Sequence, residues 1–386
     1  MRTAALSLAG LALAWGAAKA DLGDWSVTPY STDLGDAQFT LGGQAIGSAF
    51  AGDQSGATGA LRFNPRIERD YDSGMVLDLK ATILAAHDPL AAGRYGGEVF
   101  EKVIGEMQTG LGRVQIGQSD GAAHAMSISG PKVDEDISID DPQMTFFHDP
   151  SSHRALIAPF TLRSEVAASS NFAKLTYLSP TLFGVQIGAS FTPSEGREVI
   201  PFLHEGPQVA DRQSAIWEGA VRYSDYFGAL GLSAYGGFSV GHDERKTPGH
   251  AGLSEWALGV RADYDVNDDI KISLGGAFRQ SNAHAFDINS VAAQGTTRAL
   301  HASAEITDGP WLAGLELGNG DADATPGSPA LGLHAYQASI GYVLNANMQI
   351  TTGWQRIDYA RSSGSFFNGA PRLGLDAGFL HLNFHV

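Results

Sequence analysis

The chain has 386 residues, no cysteine, and a formal charge of −17 from 25 basic and 42 acidic residues. The absence of cysteine excludes disulfides, thiol catalysis and thiolate metal sites. The acidic balance argues against nucleic acid as a partner, and we predict none.

The first predicted element is a signal peptide over residues 1–20. Arg2 precedes an apolar run from Ala4 to Ala14, and Ala18-Lys19-Ala20 is a small-residue pattern typical of signal-peptidase sites. Removing this segment takes the formal charge from −17 to −19, because it carries two basic residues and no acidic one. A membrane-spanning helix needs about 20 apolar residues, and no segment of the chain reaches that length. We therefore exclude a helical membrane protein and treat residues 21–386 as one domain.

The mature chain alternates apolar and polar residues over stretches of about ten. In 270–278, for example, the apolar residues share one face while Lys271 and Ser273 share the other. The stretches 256–264 and 183–191 show the same period. This pattern is typical of strands in a transmembrane β-barrel, with one face in lipid and the other in water. A soluble β-sandwich or propeller is the alternative for period two alone.

Short and long connections between these strands alternate along the whole chain. Seven short turns are predicted at 72–74, 108–112, 179–180, 224–228, 265–269, 308–310 and 345–347. Eight longer connections are predicted near 50–58, 87–98, 119–165, 193–211, 242–252, 281–296, 319–331 and 361–370. Fifteen connections join sixteen strands, and short turns on the periplasmic side with long loops outside are usual for bacterial barrels. The predicted fold is all-β, a transmembrane antiparallel barrel of sixteen strands.

The chain ends inside a predicted strand. Leu380, Leu382 and Phe384 alternate with polar residues up to Val386. An unpaired edge cannot be satisfied in hydrocarbon, so this strand should pair with the first one, near Gln38–Phe50, and close the barrel.

Three stretches carry a resemblance to a known family: FTLGGQAIGSAF at 39–50, GEMQTGLGRVQIGQSDG at 105–121, and NFAKLTYLSPTLFGVQIGASF at 171–191. The mature chain resembles the general bacterial porins, the sixteen-stranded homotrimers of Gram-negative outer membranes. It differs in ending in Val386, where the family commonly ends in Phe, and in lacking a Pro-Glu-Phe-Gly-Gly stretch in the third loop. The resemblance implies an outer-membrane location and a homotrimer, for which the small residues Ala45, Gly47 and Ala49 would suit a flat subunit contact.

The resemblance also implies that the long third loop, 119–165, folds into the lumen and constricts it. Its acidic residues would face basic residues on the barrel wall. The acidic candidates are Asp134, Glu135, Asp136, Asp140 and Asp141. Strand parity turns the basic candidates inward, and these are Arg62, Arg66, Lys80 and Arg113.

The predicted function is passive diffusion of small hydrophilic solutes and ions through a water-filled pore, with a mild preference for cations. We expect no enzymatic activity, no cofactor and no metal in the pore. Outer-membrane lipid and lipopolysaccharide are the expected surroundings, and acidic surface loops would hold divalent cations that bridge lipopolysaccharide.

Two alternatives stay open at this stage. A substrate-specific channel would need an aromatic track or a ladder of lumen arginines. A barrel enzyme would need a catalytic group near one rim. The third loop does carry His124, His148, His153, Asp149 and Ser151, although no nucleophile motif accompanies them.

Overall fold

The computed structural model describes most of the chain from residue 27 to its C-terminus. The described ranges are 27–87, 100–140, 147, 150, 156, 162–169, 171–194, 213–243, 252–282, 285–286, 292–293, 296–325, 328–362 and 364–386. The predicted signal peptide at 1–20 lies outside them and stays a prediction. Across the described part of the chain, no helix is both long enough and apolar enough to cross a membrane.

Nineteen strands account for nearly all of the regular structure in these ranges. Their bounds are β1 Tyr30–Leu34, β2 Ala37–Gly52, β3 Gly56–Asp70, β4 Val76–His87, β5 Phe100–Thr109, β6 Gly112–Gln118, β7 Ala173–Leu178, β8 Val185–Ser194, β9 Gln213–Phe227, β10 Leu230–Asp243, β11 Ser254–Asp265, β12 Ile270–Ser281, β13 Ala285–Phe286, β14 Ala292–Ala293, β15 Thr297–Asp308, β16 Trp311–Thr325, β17 Ser328–Asn345, β18 Met348–Arg361 and β19 Arg372–His385. A single helical turn, α1 (Ala122–Ala125), and a 3-10 turn, Glu135–Ile137, lie between β6 and β7.

Sixteen of these strands close into one antiparallel barrel. Strands β2 to β12 and β15 to β19 each pair with the next, and β19 pairs with β2 from Ala377↔Gly52 to His385↔Gln44. The predicted strand number and the predicted closure are confirmed. The remaining three are accessory strands: β13 pairs only with β14, and β1 pairs with the start of β2.

The first and last described segments of the chain meet at this seam. Strand β1 pairs with Ala37–Leu41 of β2, and β19 occupies the same edge of β2 from Gln44 onward. Val386 and Gly43 exchange two backbone hydrogen bonds between them. The Asn347 amide, in the turn between β17 and β18, bonds both the N–H and the C=O of Val27 and the C=O of His385. One side chain therefore joins Val27 and the last strand at the short-turn end of the barrel.

The connections alternate as predicted, but two of the predicted long ones are short. β2 runs to Gly52 and β3 begins at Gly56, while β16 runs to Thr325 and β17 begins at Ser328. Two paired strands can continue beyond the membrane even where their residues are polar, because their backbones stay hydrogen-bonded to each other in water. In some of the short turns tight geometry is met by glycine, as at Gly228 (φ +66°) and Gly309 (φ +55°), whereas the turns at 265–269 and 345–347 contain none.

Side chains alternate between the two faces of the wall. Outward positions expose large apolar residues such as Ile116, Leu258, Leu274 and Leu315. Inward positions bury polar ones, listed here for five strands: Glu218, Glu255, Arg279, His301 and Glu316. The inward positions are apolar instead of polar at the ends of β17 to β19 that lie away from the short turns. There Leu333, Ile357, Leu375 and Phe379 point inward and pack against Ile137, Ile139 and Leu162. These wall positions are apolar because protein, rather than water, covers them.

Candidate functional site

The connection between β6 and β7, residues 119–172, is tied to the wall at both ends. The Nζ atom of Lys174, on β7, donates to the carbonyl oxygens of Ser119 (2.5 Å) and Ser169 (3.2 Å). Lys102, on β5, pairs with Asp120 at 2.5 Å. Burial alone would raise the pKa of Asp120, but His124 and Lys102 outweigh it and hold that pKa at about 2. Lys174 is therefore an anchor for this connection.

Inward-facing glutamates hold the backbone of the connection. Glu218 of β9 accepts from the N–H of Ala123 (3.3 Å), and Glu255 of β11 accepts from those of Ala167 (3.2 Å) and Ala168 (2.9 Å). Glu316 of β16 accepts from the Ser138 hydroxyl at 2.6 Å and from the Ile139 N–H at 3.4 Å. Each buried carboxylate thus finds donors that the irregular backbone would otherwise leave unpaired. Parity alone turns these glutamates inward, but the sequence does not show what they bind.

Glycines on the inner wall make room for the segment 126–134, here called the first limb. A Cβ atom at Gly314 would lie 2.6 Å from Val133 Cγ2, and one at Gly341 would lie 2.8 Å from Val133 Cγ1. The first limb therefore lies against the inner face of β16 and β17, at a separation that side chains larger than glycine would not permit.

Two of the predicted acidic residues bind the wall at the seam. Asp134 Oδ2 accepts from the Thr351 hydroxyl of β18 at 3.1 Å. Asp136 Oδ2 accepts from the amides of Gln44 on β2 and Asn383 on β19, each at 2.7 Å. Burial raises the pKa of Asp136, and the neighbouring Asp134 raises it further.

The other predicted acidic residues differ in their surroundings. Asp140 is buried and lies 2.8 Å from Lys132 Nζ, while its other oxygen accepts from the Ser164 hydroxyl at 2.8 Å. Burial opposes its ionisation, but Lys132 outweighs that and holds the pKa of Asp140 well below its usual range. Asp140 therefore joins the first limb to the returning segment 162–169 rather than facing solvent. Glu135 is 78 % exposed, and Asp141 lies outside the described residues.

The four predicted basic residues all face inward but pair with carboxylates of β4 and β5. Arg62 pairs with Glu101 at 2.8 Å, and Arg66 pairs with Asp78 at 2.6 Å. Lys80 lies 3.2 Å from both Asp78 and Glu106, and Arg113 lies 3.9 Å from Glu106. The sequence prediction missed these acidic partners, although Asp78 and Glu106 alternate with apolar residues and could have been placed inward by the same parity.

One bridge joins the basic and acidic sets. The Gln44 amide oxygen accepts from Arg62 Nη1 at 3.2 Å, while its nitrogen donates to Asp136 at 2.7 Å. Arg66, Arg113 and Lys80 keep 43 %, 39 % and 33 % of their side-chain surface exposed. The wall of β3 to β6 therefore presents basic groups that remain open to solvent, beside the carboxylates of Asp78 and Glu106, which are each 4 % exposed.

Of the three histidines that the barrel-enzyme alternative would use, His124 lies within the described residues. Its ring nitrogens lie 3.9 Å from Asp120 and 3.8 Å from Glu165. His148, Asp149, Ser151 and His153 lie outside the described residues.

Solved outer-membrane proteins share this fold. OmpF of Salmonella typhi, solved in complex with daunomycin, matches 92 % of this chain and 100 % of its own at a TM-score of 0.58 and 12 % identity. An anion-selective porin from Comamonas acidovorans matches 91 % of this chain and 100 % of its own at a TM-score of 0.53 and 11 % identity. A trimer form of OmpT, an outer membrane protein of Vibrio cholerae, matches 91 % of this chain and 100 % of its own at a TM-score of 0.55 and 10 % identity. A search of the curated proteins finds no significant match.

A sequence model of one family covers nearly the whole chain. The model describes the Gram-negative porins and matches residues 3–362. The sixteen-stranded closed barrel, with lipid-compatible residues outside and charged residues inside, agrees with that assignment. The chain belongs to the Gram-negative porin family and is a transmembrane β-barrel of the outer membrane.

Proposed function

We propose that this porin is a water-filled pore for passive diffusion of small hydrophilic solutes and ions, narrowed by the β6–β7 connection. One observation carries the proposal. The described part of that connection contacts inward-facing groups of β7 to β12, β15 to β19 and β2, and it reaches β5 through the Lys102–Asp120 ion pair. Opposite it, Arg66, Lys80 and Arg113 on β3, β4 and β6 keep 33 % or more of their side-chain surface exposed. The open passage lies between the connection and the charged wall of β3 to β6.

Charges of both signs line this passage. Arg66, Lys80 and Arg113 are offset by wall carboxylates, while Glu135 is the most exposed of the described candidate acids. A lining of paired charges favours hydrated polar solutes without selecting one of them. We therefore favour a general pore over a substrate-specific channel, with mild cation preference from Glu135 and the acidic surface of the whole chain. Membership of the porin family favours a channel over an enzyme.

Conductance in planar bilayers tests the pore. The wild type should open in ohmic steps, and its reversal potential in a KCl gradient should show cation preference. Glu135→Gln should reduce that preference, and Asp134→Asn with Asp136→Asn should reduce it less, because these two carboxylates bind the wall. Asp321→Asn is the matched control, since Asp321 pairs with Arg298 on the outer face. A folded barrel that never conducts would reject the pore.

We also infer a homotrimer that meets through β18, β19, β2 and β3. The outward residues of β2 include Ala45, Gly47 and Ala49, which share a face with the exposed Leu61. Beside them, Arg356 pairs with Asp358 (2.8 Å) on the outer face of β18. Charges are costly against lipid, so a protein-covered face fits them better. The trimer form of a solved relative supports the same assembly state.

Bulky substitutions at the seam test the trimer. A Cβ atom at Gly47 would meet no atom within 4 Å, so Gly47→Trp should leave the barrel folded but block the contact and yield monomers in light scattering. Leu274→Trp, on the wall of β12, is the matched control and should stay trimeric. Bridging of lipopolysaccharide by divalent cations on acidic loops stays a prediction, tested by whether chelators lower membrane stability.

A further inference from the structure

Three side chains from distant parts of the chain meet on the inner wall at the seam. Asp134 and Asp136 flank the start of the 3-10 turn in the β6–β7 connection, and His381 points inward from β19. One carboxylate oxygen of each aspartate and a ring nitrogen of the histidine all lie within 4.8 Å of one another. We call this set the seam cluster.

The imidazole of His381 is buried and one of its nitrogens points into the cluster. The residue is 0 % exposed, and its Nδ1 lies 2.7 Å from the hydroxyl oxygen of Ser48 on β2. Its Nε2 has no hydrogen-bond partner among the described residues and lies 3.6 Å from Asp134 Oδ2. When Nδ1 donates to Ser48, the Nε2 lone pair faces a carboxylate, an arrangement that a cation between the two would stabilise.

The two carboxylates are held by a second layer of hydrogen bonds. Asp134 Oδ1 accepts from the Asp136 N–H at 3.0 Å, and its Oδ2 accepts from Thr351. Asp136 is oriented by the amides of Gln44 and Asn383. Outer partners of this kind, together with Ser48 on the histidine, orient the ligands in metal sites.

We propose that the seam cluster binds a divalent first-row transition ion of the Zn²⁺ type through His381 Nε2 and the two carboxylates. Bonds of about 2.0–2.1 Å in a tetrahedral site place the ligand atoms about 3.3 Å apart. The 3.6 Å separation of His381 Nε2 from Asp134 Oδ2 is close to that value, and the remaining ligand needs a shift of the connection by on the order of 1 Å. Asp136 is half-buried, so a water molecule from the lumen can supply the fourth ligand.

The donor set favours such an ion over the common hard cations. Imidazole nitrogen suits zinc, copper and nickel, whereas Ca²⁺ and Mg²⁺ prefer oxygen ligands in larger number. The sequence shows no metal motif here because the ligands come from a loop and from the last strand, far apart along the chain. Binding belongs to the folded barrel and does not depend on whether the pore conducts.

Titration calorimetry on the folded full-length protein, stripped with chelator and held in detergent, tests the site. ZnCl₂ should bind with one ion per chain, and CaCl₂ should bind at least about ten-fold more weakly. His381→Ala and Asp136→Asn should each weaken Zn²⁺ binding by at least about ten-fold, and Ser48→Ala, which leaves all three ligands in place, by about ten-fold as well. His334→Ala removes an exposed histidine from the outer face of β17 and should leave binding unchanged.

Three results would overturn the proposal: no Zn²⁺ binding by the wild type, equal binding by His381→Ala, or Ca²⁺ binding as tight as Zn²⁺. Far-UV circular dichroism and heat-modified electrophoretic mobility establish folding of each variant. If His381→Ala does not fold, Asp136→Asn and Ser48→Ala decide the question. Zinc binding by a barrel that never conducts would reject the pore alone, and conductance without zinc binding would reject the seam cluster alone.

Discussion

Replacing Glu255 by Gln should loosen the returning limb of the β6–β7 connection, residues 162–169. Glu255 and Arg279 form an ion pair at 2.6 Å in which each side chain is 1 % exposed. The same carboxylate accepts the N–H groups of Ala167 and Ala168, and the Arg279 guanidinium donates to the carbonyl of Arg163 at 3.0 Å. One buried pair therefore joins β11 and β12 to three backbone groups of the limb.

The expected loss follows from the burial of this pair. Removing one partner of a buried ion pair costs about 3–5 kcal/mol, because the other charge stays buried. Glutamine keeps an oxygen that can accept from Ala167 or Ala168, so we expect a loss near the lower end, about 3 kcal/mol. The double variant Glu255→Met with Arg279→Met removes both charges. Its loss in free energy of unfolding should be smaller than the sum of the losses of the single variants Glu255→Met and Arg279→Met.

Urea titration of the protein folded in lipid vesicles measures these losses, and hydrogen exchange of the Ala167 and Ala168 amides reports on the limb itself. Arg298→Met is the matched control, since Arg298 and Asp321 are 40 % and 43 % exposed on the outer face and such pairs contribute about 0–1 kcal/mol. The reasoning is wrong if Glu255→Gln costs less than about 1 kcal/mol with unchanged exchange at both amides, or if the single losses add up in the double variant.

Three further predictions concern other parts of the same architecture. His124 and Lys102 lower the pKa of Asp120 from 3.8 to about 2, so these interactions stabilise the fold above pH 4 and are lost as the pH falls toward 2; Asp120→Asn should remove about 2 kcal/mol of acid-dependent stability in urea titrations, and an unchanged acid dependence would contradict this. Asn347→Ala loses the hydrogen bonds to Val27 and His385 and should cost about 1–3 kcal/mol in the same titration, whereas Asn319→Ala, exposed on β16, should cost almost nothing. A Cβ at Gly259 would overlap the carbonyl oxygen of Ile128, so Gly259→Ala should speed hydrogen exchange in residues 128–133 and alter conductance; Gly332→Ala has open space and should do neither, and equal exchange in both variants would count against the observed course of the first limb.

Local pattern was enough to predict the strands and their closure. Alternation in stretches such as 270–278 reflects a property of each strand alone, namely which face meets lipid. The pairing of β19 with β2 follows from one rule, because a strand edge left unpaired in hydrocarbon cannot satisfy its backbone groups. The same parity turned Arg62, Arg66, Lys80 and Arg113 inward, as found.

Pairing between strands was not predictable in this way. Arg66 lies opposite Lys80 in the β3–β4 register, yet each binds Asp78, and a register shift between Leu61 and Arg62 moves the neighbouring pairs. Register depends on turns and bulges that alternation does not encode. The predicted basic residues are for this reason engaged in ion pairs within the wall, and their role in a constriction stays a prediction.

By itself, the amino-acid sequence determined the sixteen strands, their two faces and the closure of the barrel, because each depends on residues close together in the chain or on one pairing rule. Only the tertiary structure decided the course of the β6–β7 connection, the inward apolar residues Leu375 and Phe379, and the meeting of Asp134, Asp136 and His381. These features come from segments far apart in the chain whose contacts form only when the barrel surrounds them. Their chemistry therefore depends on the wall that each side chain meets, which no single stretch of sequence specifies.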